Sequence, residues 1–206
     1  MTSSSTSRIR PRRTDVRQQV LRAAADAFLQ RSYADVSVAD VASAAGFTKG
    51  AVYSNFGGKP ELFAAVLGEQ FTELVGGVLA TAMAAVETQA PADVPHAVAV
   101  SLTRGVVRDQ RLPMLLAEFR TLANRDPKLA TVYAELRLRQ RAELQQLLAG
   151  VADRVPLAPR VDLAVAATLL LTCVNSLSLE YAAAPSSTPE PLIEALLTHV
   201  VAGILG

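Results

Sequence analysis

The sequence of 206 residues contains a single cysteine, Cys173, and its aromatic residues amount to only 5%. One cysteine excludes an internal disulfide framework and any zinc site built from several cysteines, and it suits a reducing cytosol. The scarcity of aromatic residues, together with β-branched residues that seldom cluster, argues against a sheet protein. Alanine and leucine are abundant instead, with 36 Ala and 28 Leu, and both favour helices. The composition therefore predicts a cytoplasmic, all-α protein of one domain or two small ones.

Acidic residues are scarce in the first 60 positions, which hold four of them against nine basic residues. Positions 61–206 hold 15 acidic and 11 basic residues, so the net charge of +1 conceals an uneven distribution. This distribution indicates an N-terminal module for a polyanion and a remainder that need not contact it. Residues 1–13 carry four arginines and no apolar run of the kind that secretory signals contain, which predicts a disordered basic tail.

Motifs for catalysis and for metal binding are absent from the sequence. It contains no Gly-x-Ser-x-Gly, no phosphate-binding glycine loop and no His-Glu-x-x-His. His96 and His199 have no carboxylate or cysteine at ligand spacing, so we expect them at the surface or at the edge of a pocket. Cys173 lies in an apolar segment without basic neighbours, which is typical of a buried, unreactive thiol. We therefore predict a protein that is not an enzyme and that holds no metal and no cofactor.

Three short helices are predicted in the first 60 residues. Apolar residues recur at helical spacing over residues 16–28, and Ser37 is a suitable N-cap for a second helix that ends at Gly46. Thr48 is a suitable N-cap for a third helix, which ends at the glycine pair that follows residue 56. Two short helices joined by three residues form the pattern of a helix-turn-helix, whose second helix lies in the major groove of DNA.

The rest of the chain is also predicted to be helical, with no strand alternation and no internal repeat. Expected helices cover about 60–86, 95–109, 113–124, 126–149, 160–182 and 189–204. Residues 163–179 carry no charge, but a transmembrane helix needs about twenty apolar residues, and hydroxyl and amide side chains interrupt this run. We therefore predict no membrane association and interpret this helix as buried on two faces.

The N-terminal motifs occur together at a distinctive spacing. They are Val20-Leu21-x-x-Ala24-x-x-x-Phe28, Tyr33-x-x-Val36-Ser37-Val38-x-x-Val41-Ala42-x-x-Ala45-Gly46, Lys49-Gly50-x-x-Tyr53-x-x-Phe56 and Lys59-x-x-Leu62-Phe63. In these motifs the chain resembles the DNA-binding head of the TetR family of transcriptional repressors. Two departures are Asn55, where histidine is common, and the glycine pair before Lys59. The resemblance implies a head over residues 14–60 and a helical ligand-binding and dimerisation domain over 61–206.

The resemblance further implies a homodimer whose two heads bind a palindromic operator in double-stranded DNA. The residues implied in phosphate contacts are Ser37, Thr48, Tyr53, Asn55 and Lys59, and those that approach bases are Lys49, Gly50 and Ala51. Ser54 shares their outer face. Two alternatives remain open, because Tyr53 could belong to the core and Lys59 could be a solvated charge at a helix start. For the tail, an arm in the minor groove is the alternative to disorder.

In the C-terminal domain, the resemblance implies a dimer interface formed by the last two helices. The candidate interface residues are Leu169, Leu192, Leu196, Leu197 and Val200. A mainly apolar inducer cavity is expected to be enclosed by the fourth to eighth helices. Its candidate lining residues are Met83, Leu102, Arg104, Met114, Glu118, Phe119, Tyr133, Leu136, Cys173 and Asn175. Glu118 and Arg104 are the expected polar anchors, and the alternative for each candidate is core packing or a solvated charge.

Together these observations predict a DNA-binding transcriptional repressor that binds a palindromic operator as a dimer and is released by a small, hydrophobic inducer. Two other functions are considered. One is a helical small-molecule binding protein without a DNA role, which the intact motif residues Lys49, Gly50, Tyr53 and Lys59 argue against. The other is an enzyme within the helical domain, which lacks any arrangement of nucleophile and base or of metal ligands.

Overall fold

The structure, a computed structural model, describes residues 13–88, 90, 93–108, 110–153 and 161–205. This part of the chain contains nine α-helices and no strand, which confirms the predicted all-α fold. The helices are α1 (Arg13–Gln30), α2 (Val38–Ala44), α3 (Lys49–Phe56), α4 (Lys59–Thr88), α5 (Val94–Arg108), α6 (Arg111–Ala123), α7 (Pro127–Ala152), α8 (Leu163–Ala183) and α9 (Glu190–Leu205). The predicted disordered tail lies outside the described residues, except for Arg13, at which α1 begins.

Side-chain caps and left-handed glycines delimit the short helices of the N-terminal unit. The hydroxyl of Ser37 accepts a hydrogen bond from the Asp40 amide, and the Asp40 carboxylate accepts one from the Ser37 amide, which completes a capping box at α2. The hydroxyl of Thr48 accepts a hydrogen bond from the Ala51 amide and so caps α3. Gly46 and Gly57 have φ angles of +73° and +92°, which residues with a β-carbon rarely adopt.

The N-terminal unit, which ends at Val66, has an aromatic core. The rings of Phe28 and Phe63 meet edge to face, with centroids 4.7 Å apart, and the ring of Tyr33 lies 5.0 Å from that of Phe63. Aliphatic side chains from α1 to α3, the turn before α2 and the start of α4 complete this core, and those that are at most 1% exposed are Val20, Ala24, Val36, Val41, Val52, Leu62 and Val66. Burial of these side chains holds α3 with Val52 inward and leaves its opposite face outward.

The second unit begins at Leu67 and comprises the rest of α4 and helices α5 to α9. Helix α5 packs against α9, and α7 packs against α8. One stripe of α9 is buried in this core, and its members are Ile193, Leu197, Val201 and Ile204. The division between Val66 and Leu67 falls within α4, six residues beyond the predicted boundary at residue 60.

Most predicted helices match the observed ones to within a few residues. Asp126 caps α7 through its carboxylate, as its position before Pro127 indicates. Helix α6 begins at Arg111 rather than at Pro113, because proline is tolerated anywhere in the first turn, where no intrahelical bond from its nitrogen is needed.

In the single chain, one face of helix α8 is buried rather than two. Ala166, Ala167 and Leu170 are buried, whereas Val165 is 56% exposed and Leu169 is 42% exposed. The prediction of burial on two faces is therefore wrong for the single chain, since no other described element covers Val165 and Leu169.

By length and composition alone, both α4 and α8 could cross a membrane, a test that core helices of soluble proteins also pass.

Candidate nucleic-acid interface and ligand cavity

Helix α3 presents a face of polar and small residues to solvent. Val52 is fully buried and fixes the rotation of the helix, so that Lys49, Gly50 and Tyr53 are exposed on the other side. Tyr53 is 52% exposed, which decides between the two interpretations of this residue: it is not part of the core. Because Gly50 has no side chain, the first turn of α3 can approach another surface closely.

Two polar side chains of α3 bond to their own helix. The hydroxyl of Ser54 donates to the Ala51 carbonyl at 3.0 Å, and the Asn55 amide donates to the same oxygen at 2.8 Å. Asn55 is half-buried, whereas Ser54 is exposed. Asn55 therefore braces the last turns of α3 with one of its two amide N–H groups.

An arginine of α1 is held against the end of α3. The guanidinium carbon of Arg17 lies 4.4 Å from the centroid of the Phe56 ring, and Nη1 donates to the Asn55 carbonyl at 3.5 Å. Arg17 is exposed, so it adds a positive charge beside the recognition surface. Sequence reasoning missed this residue, because a contact between positions 17 and 56 leaves no signal in local periodicity.

Lys59, at the start of α4, contacts the turn that follows α1. Its Nζ lies 4.3 Å from the centroid of the Tyr33 ring and donates to the Ala34 carbonyl at 3.4 Å. Lys59 is half-buried, so it is not simply a solvated charge at a helix start. A cation over an aromatic ring is stabilised by the negative face of the ring.

The N-terminus of α2 combines a cap with a cluster of charges. Hydrogen bonds from the backbone and the side chain of Ser37 lower the pKa of the Asp40 carboxyl below its usual value. The positive charges of Arg31, 4.0 Å away, and of Lys49 lower this pKa further. Ser37 is exposed, and its hydroxyl oxygen is held in place as the cap of α2.

A cavity of about 280 Å³ lies within the second unit, among helices α4 to α8, where the sequence predicts an inducer site. Its wall is mainly aliphatic with one aromatic ring, and includes Phe71, Leu74, Val78, Leu102, Leu116, Leu144, Leu147, Leu170, Leu171 and Val174. Two of the ten predicted residues, Leu102 and Asn175, line it. The volume is close to the lower end of the range typical of small-molecule sites, which is about 300–1,000 Å³.

The other predicted lining residues lie outside the cavity wall. Phe119 is fully buried in an edge-to-face pair with Tyr133, at a centroid distance of 5.6 Å. Leu136 is buried; Met83 and Cys173 are partly buried against separate apolar clusters. Met114 and Arg104 are exposed, and Glu118 is half-buried. The two predicted polar anchors, Arg104 and Glu118, are therefore not at the cavity, because they lie on other sides of their helices.

The polar groups that do line the cavity are carried mainly by α4, α7 and α8. They are Gln70, Glu73, Arg137, Gln140, Asn175 and Ser178. Nη1 of Arg137 donates to Oε1 of Gln140 at 2.8 Å, and Gln140 is only 4% exposed. Burial lowers the pKa of the Arg137 guanidinium below its usual value; Tyr133 offsets part of this effect, and the charge of Arg120 adds to it. The cavity wall thus contains a partly desolvated cation.

The predicted interface residues fall into two groups. Leu169, Leu192 and Leu196 are between 42% and 45% exposed. Leu197 is fully buried in the core of its own chain with Ile193, and Val200 packs half-buried against the core. The assignment of Leu197 to a surface between two chains is therefore wrong, since a side chain without exposed area cannot contact a partner chain.

The two histidines lie at the surface, as predicted. Nε2 of His96 is 3.9 Å from Oε1 of Glu194, and His199 bonds to the Ala195 carbonyl of its own helix. Both line a shallow depression formed with Glu190 and the neighbouring residues of α9. Within the described ranges, no group of three or more histidine, cysteine, aspartate or glutamate side chains could hold a metal ion.

Comparison with protein families shows to which family the chain belongs. Residues 20–66 match the family described as bacterial regulatory proteins, tetR family, and residues 96–206 match the C-terminal part of BetI-type transcriptional repressors. The second match alone covers more than half of the chain. The chain belongs to the TetR family of transcriptional regulators. It is therefore a ligand-responsive, DNA-binding repressor with its helix-turn-helix in the N-terminal unit, and its family is one of regulators and not of enzymes.

Solved structures have the same TetR fold over nearly the whole chain. A TetR-family regulator from Mesorhizobium loti has a TM-score of 0.67 at 21% identity, covering 94% of this chain and 96% of that one. A transcriptional regulator from Rhodococcus sp. Rha1 has a TM-score of 0.57 at 26% identity, covering 92% and 95%. FadR from Bacillus subtilis, solved with stearoyl-CoA, has a TM-score of 0.60 at 16% identity, covering 91% and 98%. No curated protein sequence matches the chain significantly.

Proposed function

We propose that this TetR-family repressor acts in the cytoplasm as a homodimer that binds a palindromic operator and is released by a small, mainly apolar inducer. One observation carries the proposal: the same chain holds an exposed recognition face on α3 and a mainly apolar cavity among α4 to α8. A chain that used the cavity only for storage would have no need of a head with Lys49, Gly50 and Tyr53 exposed.

The proposed DNA contacts are those that the resemblance to the family implies, and most of these residues are exposed at the start of α2 and on α3. Lys49, Gly50 and Ala51 approach base edges at the start of α3, because the N-terminal residues of a recognition helix reach deepest into the major groove. The residues proposed to contact phosphates are Ser37, Thr48, Tyr53, Ser54, Asn55 and Lys59. Phosphate contacts set the register of the head, and the contacts of the first turn select the sequence.

The proposed dimer is supported by apolar side chains that α8 and α9 leave exposed. Val165 and Leu169 follow one another at a spacing of four residues on α8, and Leu192 and Leu196 do so on α9. The two helices pack against each other, so the two exposed pairs lie on neighbouring helices. Pairing with the same surface of a second copy would bury them in an isologous interface, and the twofold axis would account for a palindromic operator.

Release by an inducer would act through α4. This helix supplies Leu62 and Phe63 to the core of the head and Phe71, Leu74 and Val78 to the wall of the cavity. A ligand that binds more tightly to a conformation in which the heads cannot reach adjacent grooves weakens DNA binding by that difference in affinity. The ligand and the operator would then oppose each other reciprocally.

The test begins with DNA, because an operator can be selected directly from random sequences. The purified chain is used to enrich sequences from a random double-stranded library, and the enriched sequence is used in a binding assay at several salt concentrations. We expect an inverted repeat with half-sites one helical turn or a small multiple apart. A library of apolar and aromatic metabolites is then screened for compounds that both raise the melting temperature and release this DNA. Failure to enrich any inverted repeat would contradict operator binding, and absence of any such compound would contradict release by an inducer.

A further inference from the structure

The cavity wall contains a positive charge that the protein does not neutralise. In the part of the chain that the structure describes, no carboxylate lies within 4.0 Å of the Arg137 guanidinium, and its one hydrogen bond is to the neutral amide of Gln140. A partly buried cation without a counter-ion is costly, because the apolar surroundings replace water poorly. The lowered pKa of Arg137 has the same cause.

The other charged residue at the cavity is in a different environment. Glu73 is exposed, and its carboxylate accepts a hydrogen bond from Nε2 of Gln70 at 3.3 Å. Solvent and this amide stabilise the negative charge, so a cationic ligand would stabilise Glu73 less than an anionic ligand would stabilise Arg137. The charge that a bound ligand could most improve is therefore that of Arg137.

Gln140 orients the guanidinium. Its side chain is 4% exposed and one turn away on the same helix, so the hydrogen bond at 2.8 Å holds Nη1 toward α7. The guanidinium is a planar fork whose remaining N–H groups match the two oxygens of a carboxylate. Apolar side chains of Phe71, Leu74 and Leu170 provide the rest of the wall.

We infer that the inducer of this repressor is a small amphipathic anion, whose acidic group pairs with Arg137 and whose apolar body fills the cavity. The inference rests on the proposed function, since it names the chemical class of the inducer in that same site. Ion pairing in this position removes an unpaired charge and adds charge-assisted hydrogen bonds, which are stronger than hydrogen bonds between neutral groups. Octanoate, octan-1-ol and octylamine separate the contributions, because they share one apolar chain and differ in charge.

The experiment is isothermal titration calorimetry of the full chain with each of these three probes at neutral pH. We expect octanoate to bind at least about tenfold more tightly than octan-1-ol or protonated octylamine, the factor that one charge-assisted hydrogen bond supplies. Arg137→Met should remove this preference while octan-1-ol binds as before, and Arg137→Lys should keep part of it. Arg139→Met is the matched control: Arg139 lies two residues further along α7, exposed and 3.3 Å from Glu135, so its loss should leave the preference intact.

The outcomes separate this inference from the proposed function. Equal affinity for the three probes, tighter binding of octylamine, or an unchanged preference in Arg137→Met would overturn the inference, provided that the variant keeps its helical circular dichroism. If no octyl probe binds but an uncharged or cationic compound of the library releases DNA, the anionic class is wrong and the proposed function stands. If no compound of any charge binds or releases DNA, the proposed function fails and the inference fails with it.

Discussion

Arg17 of α1 stacks on Phe56 of α3, with its guanidinium carbon 4.4 Å from the ring centroid. The contact joins the first helix of the head to the last turn of the recognition helix. Loss of an exposed cation–π contact costs about 0.5–1 kcal/mol. We therefore expect Arg17→Ala to lower the free energy of unfolding by this amount, measured by urea denaturation.

The matched control for this prediction is Arg22→Ala. Arg22 is exposed on the same helix and makes no hydrogen bond or ring contact with a described residue. A loss of stability in Arg22→Ala equal to that in Arg17→Ala would show that the charge of α1, and not the contact with Phe56, is responsible.

The exposed face of α3 predicts the effect of two substitutions on DNA binding. Lys49→Ala and Tyr53→Ala should each weaken operator binding at least about tenfold, because each would remove a proposed DNA contact in both heads of the proposed dimer. Their melting temperatures should change little, since both side chains are exposed. Lys128→Ala, an exposed lysine at the start of α7, is the control and should bind as the wild type does. Normal affinity in Tyr53→Ala would contradict the assignment of α3 as the recognition helix.

Local signals in the sequence predict the ends of several helices well. The caps of Ser37, Thr48 and Asp126 and the left-handed conformation of Gly46 depend on residues within four positions of one another. Because these interactions involve only residues that are close in sequence, the ends of these helices could be predicted without a structure.

The cavity could not be predicted residue by residue, because its wall depends on the rotation of five helices against one another. Leu74 and Phe119 are both apolar residues in predicted helices, yet Leu74 lines the cavity and Phe119 is packed against Tyr133. Helix α9 poses the same difficulty, since Leu196 and Leu197 belong to two adjacent apolar stripes. Only packing decides which stripe faces the core of the chain.

The capping carboxylate of Asp40 predicts a pH dependence of stability. Its pKa is lowered in the folded state, chiefly by hydrogen bonds with Ser37, so the ionised form favours folding. This contribution is present above the usual carboxyl pKa of 3.8 and is lost as the pH falls through the lower folded value. We expect Asp40→Asn to be less stable than the wild type at pH 6, with the difference shrinking toward pH 3, as measured by thermal unfolding. A difference that stays constant over this range would show that the charge of Asp40 contributes nothing.

The double role of Lys59 can be separated by its salt dependence. If Lys59 neutralises one phosphate in each head, Lys59→Met should lower the slope of log K against log salt by about two units for the dimer. Loss of its position over Tyr33 should at the same time lower the free energy of unfolding by about 0.5–1 kcal/mol. A normal slope combined with reduced stability would mean that Lys59 stabilises the contact of α4 with the turn after α1 and binds no phosphate.

Two neighbouring leucines of α9 give a sharp test of the dimer. Leu196 is 44% exposed, whereas Leu197 is fully buried in the core of its own chain. Leu196→Glu should leave the helical circular dichroism intact but produce monomers in light scattering, because it would place an unpaired charge in the proposed interface at a cost of several kcal/mol. Leu197→Ala should instead keep the dimer and lower the free energy of unfolding by about 2–5 kcal/mol, the cost of a cavity left by a buried leucine. A Leu196→Glu protein of unchanged dimeric mass, or a monomeric wild type at micromolar concentration, would place the interface elsewhere or remove it.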